Sequence, residues 1–151
     1  MDITYDIIVK YMKDYFETFN KYGQDPKTIN RLDEYYAPDL EFNPYVAGIG
    51  HTTGRDEFYR VLLSHPSGYE KLTPEEIVVD ERRMIVVVLI KAEISDSKTG
   101  EVLVTKRYFV LYPLVLDEND TLKMKGIHLF WEVLPPGAME IDDVFARDRP
   151  H

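Results

Sequence analysis

Nine residues, Tyr36-Ala37-Pro38-Asp39-Leu40-Glu41-Phe42-Asn43-Pro44, constrain the fold of this chain most, because they join a helix end, a proline stop and a short alternating strand. Helical patterns precede them, one more follows, and beyond Thr73 almost everything reads as long strands. Helices segregated from strands indicate an α+β protein rather than an alternating one. The expected architecture is a curved antiparallel sheet wrapped round N-terminal helices, an arrangement that encloses a pocket.

Between Ile3 and Tyr22 the residues Ile7, Ile8, Tyr11, Met12, Tyr15, Phe16 and Phe19 recur at three and four, one stripe on a helix of about five turns. Gly23 supplies a stop. Asp25-Pro26 reads as an N-cap and first helical position, and Ile29, Leu32, Tyr35 and Tyr36 extend a second stripe up to Pro38. Leu40 to Asn43 forms a brief strand. Thr53-Gly54-Arg55-Asp56 has the spacing of a capping box ahead of a third helix through Phe58, Val61 and Leu62, closed by His65-Pro66-Ser67-Gly68.

Four segments, Ile77 to Val79, Met84 to Ile94, Val102 to Leu116 and Leu122 to Leu134, are rich in β-branched and aromatic residues. The linkers opening at Asp80, Asp96 and Asp117 are short enough for hairpins, which makes this half an antiparallel meander. One strand is apolar on both faces: Ile85, Val87 and Leu89 on one, Met84, Val86, Val88 and Ile90 on the other. The outer face needs cover, from a second copy in a homodimer through the sheet or from a folded-back tail carrying Met139, Ile141, Val144 and Phe145.

A length of 151 residues fits a single domain, 1–151, with 136–151 expected as a peripheral C-terminal tail. The net charge of −9, with no basic run beyond Arg82-Arg83, argues against nucleic acid as a partner. No window approaches the apolar length of a membrane span, and the amino terminus lacks a secretory pattern, so a cytoplasmic protein is expected. Without cysteine there is no disulfide, thiolate nucleophile or thiolate metal site, and the four histidines lack metal-binding spacing. No cofactor or metal is expected.

His51 lies in the loop Gly48-Ile49-Gly50-His51-Thr52-Thr53, where a histidine can act as a general acid or base or simply sit in solvent. On the last strand His128, Phe130 and Glu132 share one face, and Ile127, Leu129, Trp131 and Val133 form an unbroken apolar row on the other. Whichever row lines the interior decides whether His128 and Glu132 are acid/base candidates or surface residues. Four positions along a strand span ~13 Å, so those two cannot hydrogen-bond each other. Arg107 could meet a ligand oxygen or mark where its strand leaves the core. Tyr11, Tyr15 and Tyr36, among eleven tyrosines, together with Trp131 suit a cavity for an apolar or aromatic ring with a few polar handles.

Tyr36-Ala37-Pro38-Asp39, Phe42-Asn43-Pro44, Gly54-Arg55-Asp56-Glu57-Phe58 and Phe130-Trp131-Glu132-Val133-Leu134, in this order over residues 5 to 135, resemble the nuclear transport factor 2-like superfamily, in particular its SnoaL-like and ketosteroid-isomerase-like branches. The resemblance implies a cone-shaped α+β barrel of the cystatin-like kind, a deep apolar pocket, and commonly a homodimer. It implies cofactor-free chemistry as an isomerase, dehydratase or polyketide cyclase, although several relatives are not enzymes. By this resemblance Tyr15 stands at the oxyanion-binding tyrosine. Asn43 stands where an aspartate base precedes a proline, and an amide cannot accept that proton. The remaining acid falls in Phe109-Val110-Leu111-Tyr112-Pro113-Leu114, which has no carboxylate. The last strand keeps Trp131 and the acid Glu132 of a SnoaL-like ending but has Phe130 in place of its histidine. The expected catalytic set is therefore His51, His128 and Tyr15, with Tyr11, Tyr36, Asn43, Arg107, Trp131 and Glu132 against the ligand. A non-catalytic binding or assembly module is the competing expectation.

Overall fold

In a computed structural model the protein is described over residues 2–150; Met1 and His151 lie outside the described residues. Helix α1, Tyr5–Tyr22, is capped by the Thr4 hydroxyl, which accepts from the Ile7 N–H at 3.4 Å, and it buries Ile8, Met12, Tyr15, Phe16 and Phe19 as its periodicity requires. A 3₁₀ turn, Ile29–Glu34, follows. Strand β1 (Tyr36–Pro44), the short β2 (Thr52–Thr53) and helix α2 (Arg55–Leu62) lead into β3 (Gly68–Asp80), β4 (Ile85–Asp96), β5 (Val102–Leu116) and β6 (Leu122–Trp131). A one-turn helix, α3 (Ile141–Phe145), and a 3₁₀ turn, Ala146–Asp148, close the order.

The six strands lie in the order β2-β1-β6-β5-β4-β3, an open sheet curved around α1 and α2. Each long hairpin opens on an aspartate that accepts backbone N–H groups: Asp80 from Arg82 and Arg83, Asp96 from Lys98 and Thr99, Asp117 from Asn119 and Thr121. Backbone N–H donation is the main cause holding each of these carboxyls below the usual range. Irregularities at Pro74 in the edge strand β3 and around Pro113 in β5 bend the sheet where proline withholds a ladder donor. Gly126 lies beneath Pro113, which a Cβ there would approach at 3.4 Å.

The concave face carries the core. Val86, Val88, Ile90, Ala92 and Ile94 of β4 are fully buried. Val104, Lys106, Tyr108, Val110, Tyr112 and Leu114 form the matching row of β5. The expected α+β class and curved sheet are present, with corrections in detail. β1 runs parallel to β6, so the sheet is not wholly antiparallel; residues 45–121 connect the two, and no hairpin dictates their sense. The second helix is only a 3₁₀ turn, and Tyr36 begins a strand, because the Met124 N–H bonds the Tyr35 carbonyl at 2.7 Å and draws this segment into the sheet. Thr53 does not cap α2; Gly54, at φ +94°, does, and the Thr53 hydroxyl donates to Glu41. β3 starts at Gly68 rather than near Ile77, and β6 ends at Trp131.

The segment 136–150 also differs from a peripheral arm. Its Ile141 and Val144 are buried in the core, and Phe145 packs against it. The tail is tied down by Lys106–Glu140 at 2.6 Å and by Asp148, which takes the Ser67 hydroxyl at 2.6 Å and its N–H at 3.0 Å.

Candidate functional site

Parity along β3 points Gly68, Glu70 and Leu72 toward the helices. The outer edge of β3 has no neighbouring strand, and two amide side chains from the end of α1 and its loop take that place. Asn20 bonds both backbone groups of Leu72 at 2.8 Å, and Gln24 bonds both of Glu70 at 2.7 Å. This double clamp fixes Glu70 in position.

Glu70 lines an internal cavity of about 80 Å³ with otherwise mainly apolar and aromatic walls, among them Phe19, Phe42, Phe58, Ile90, Leu129 and Trp131. The Tyr108 hydroxyl donates to the Glu70 carboxylate. Burial pushes the Glu70 carboxyl up from its ordinary value, and the Tyr108 hydrogen bond and nearby His65 only partly oppose this. Tyr15 and Tyr112 also line the cavity. Tyr15 shares a 2.5 Å hydroxyl–hydroxyl hydrogen bond with Tyr36, which is itself fully buried. Burial raises the phenols of Tyr15, Tyr36, Tyr108 and Tyr112 well above their usual range, which keeps them protonated donors.

His65 stands in the same wall, buried and stacked on Phe145 at 3.7 Å between ring centroids. Its Nδ1 lies 2.9 Å from the Gly68 carbonyl. A carbonyl only accepts, so Nδ1 carries a proton toward it. His65, Phe145, Ile49 and Val61 line both the inner cavity and an outer cleft beside the tail, and so form the partition between them.

The apolar row Ile127, Leu129 and Trp131 faces the cavity, which decides the orientation of β6. Of the residues expected at the site, Tyr15 and Trp131 line the cavity and Tyr36 supports Tyr15. The others lie elsewhere. His128 is on the convex face, its Nδ1 3.0 Å from the Tyr45 hydroxyl, and Asn43 pairs with it in register across β1 and β6. Glu132 accepts from the Arg107 N–H at 3.1 Å, and the Arg107 guanidinium pairs with Glu75 at 2.5 Å, again away from the cavity. His51 pairs with Glu41 at 2.5 Å with both side chains about half exposed. Tyr11 donates to the Tyr35 carbonyl at 2.7 Å beside a separate surface hollow. Parity removes the convex-face residues, because any residue one step from a cavity-lining position on a strand points the other way.

The sequence reading missed Glu70 and His65. The available signal was Gly68-Tyr69-Glu70-Lys71-Leu72: extending β3 back to Gly68 places Glu70 on the face of Leu72. Among the described residues no helix is long and apolar enough to cross a membrane.

No family model and no curated protein matches this chain in sequence. Solved structures do. A ketosteroid isomerase-like protein from Erwinia carotovora atroseptica superposes with a TM-score of 0.60 at 18% identity, covering 85% of this chain and 96% of that one. A SnoaL-like protein from Jannaschia sp. CCS1, described as a candidate polyketide cyclase, gives 0.61 at 14% over 82% and 84%. A nuclear transport factor 2-like protein from Anabaena variabilis gives 0.63 at 15% over 88% and 95%. At such identities the common property is architecture, and the chain has the cone fold of the SnoaL-like and nuclear transport factor 2-like proteins that its sequence resembles.

Proposed function

We propose that this protein binds a small apolar or aromatic metabolite inside its cone and moves a proton on it without a cofactor, as in an isomerisation, dehydration or cyclisation. One observation carries this reading: a single carboxyl, Glu70, is held by Tyr108 in a cavity with mainly apolar and aromatic walls, where burial raises it from its ordinary value. Ionised Glu70 takes a proton from carbon next to a carbonyl, or protonated Glu70 gives one to a departing oxygen. Tyr15, its hydroxyl paired with Tyr36, donates to the oxygen on which charge develops. His65 stands beside them in the wall. The names of the isomerase-like and cyclase-like neighbours fit this class of chemistry.

The test is α-hydrogen exchange of acetophenone in heavy water, followed by NMR. The protein should accelerate exchange, and Glu70→Gln should lower the rate by about 10²–10⁴-fold while acetophenone still binds. Undiminished exchange in Glu70→Gln would remove Glu70 from the mechanism. The small cavity favours a second reading, a non-catalytic binding module, since ordinary ligand sites occupy roughly 300–1,000 Å³. Acetophenone binding without exchange in the unaltered protein would establish that reading instead. Either reading includes pairing of two copies through the convex face of the sheet.

A further inference from the structure

Among the described residues the buried basic side chains are His65 and Lys106. Lys106 occupies the concave row of β5 two positions before Tyr108, and its side chain is 1% exposed. Its Nζ lies 4.5 Å from the centroid of the Trp131 ring, which lines the cavity. Its carboxylate partner is Glu140 Oε2 at 2.6 Å, and Glu140 belongs to the tail. Glu140 Oε1 accepts the Leu134 N–H at 3.2 Å, and its own N–H donates to Asp143 at 2.9 Å. A buried ammonium without an anion is costly, so this position demands a carboxylate. That carboxylate arrives on the tail, which Pro135, Pro136 and Gly137, the last at φ +89°, separate from β6.

We propose that Lys106 over Trp131 is a carboxylate-binding subsite, that the Glu140 side chain occupies it as a built-in stand-in, and that the ligand of this protein is an aromatic or apolar carboxylic acid whose acid group displaces Glu140. The inference rests on the cavity reading above and specifies its substrate class. The ring of such an acid enters the cavity beside Trp131 and Tyr108, and the Lys106 ammonium pairs with its carboxylate. Displacing Glu140 frees the tail residues that pack with it, including Phe145 in the partition to the outer cleft. Binding and opening are then the same event, since the ligand stabilises whichever tail position leaves Lys106 free.

The chain has one tryptophan, and it lies in this site, so its fluorescence reports occupancy. Phenylacetate and its neutral isostere phenylacetamide are titrated into the full chain, into Glu140→Gln and into Lys106→Met, with melting temperature followed in parallel. The acid should bind more tightly than the amide. Glu140→Gln should bind phenylacetate about tenfold or more tighter, because a tethered competitor present at roughly millimolar effective concentration has been removed. The same variant should melt lower and be restored by phenylacetate but not by the amide. Lys106→Met should lose the preference. Equal binding of acid and amide in both the unaltered protein and Glu140→Gln would overturn the carboxylate subsite while leaving the apolar cavity as a ligand site. Binding of neither would overturn both. The Glu140→Gln comparison decides the matter even where Lys106→Met fails to fold.

Discussion

At the scale of single residues, Glu70 is the group whose environment most affects behaviour. Its carboxyl titrates higher in the folded protein than in the unfolded chain, because burial disfavours the charged form. Between the ordinary carboxylate range and that raised value, the folded protein still holds a proton the unfolded chain has released. Stability therefore falls as pH rises through this window and levels off above it. Melting temperature against pH, compared with Glu70→Gln, should show the unaltered protein losing ground on the variant across the window; parallel curves would mean that Glu70 is not desolvated. Tyr108→Phe removes the donor that favours the carboxylate, so its window should extend to higher pH, at a cost of about 1 kcal/mol for the lost hydrogen bond. A residue of this kind is hard to find in sequence. A glutamate flanked by Tyr69 and Lys71 reads as surface, and what buries it is a parity that the clamps from Asn20 and Gln24 impose on an edge strand.

At the scale of elements, the tail behaves as a detachable part of the core. Ile141 and Val144 are almost completely buried, so Ile141→Ala should cost roughly 2–5 kcal/mol of stability in urea unfolding. Gly68 makes the fit close: a Cβ there would stand 2.9 Å from a Val144 methyl. Gly68→Ala should push the tail outward and speed tryptic cleavage after Arg147, while the rest of the chain resists; unchanged cleavage would show that Val144 yields without releasing the tail. The elements legible in the sequence were those set by local chemistry. α1 follows its apolar stripe, and the three long hairpins follow an aspartate at each turn. Those misjudged are set by distant partners. Pro38 reads as a helix stop, yet Tyr36 joins a strand because Met124 lies alongside it. The end of β6 and the tail depend on Lys106, whose demand for Glu140 appears only once β5 is known to turn that lysine inward.

At the scale of the whole molecule, the convex face of the sheet remains uncovered, because the tail packs elsewhere. Cross-strand register aligns Leu89, Phe109 and Phe130, and Tyr45 stacks on Phe130 at 4.6 Å. Leu89 is 36% exposed, Phe109 54% and Phe130 49%, a continuous apolar row in an otherwise strongly charged molecule. Such a row fits the core of an interface, with Arg107–Glu75 and Glu132 at its polar rim. If two copies pair through this face, as proposed, each presents the same row to the other by symmetry, and light scattering after size-exclusion chromatography should return twice the chain mass at micromolar concentration. Each copy carries a net charge of −9, so such a pair would form against long-range repulsion, and added salt should tighten it by screening while leaving the apolar contact intact. Phe109→Glu places a carboxylate in the centre of the row. The substitution removes an aromatic contact and buries a carboxylate in the proposed interface. The variant should run as a folded monomer, whereas a dimer that survives Phe109→Glu would place the interface on another surface.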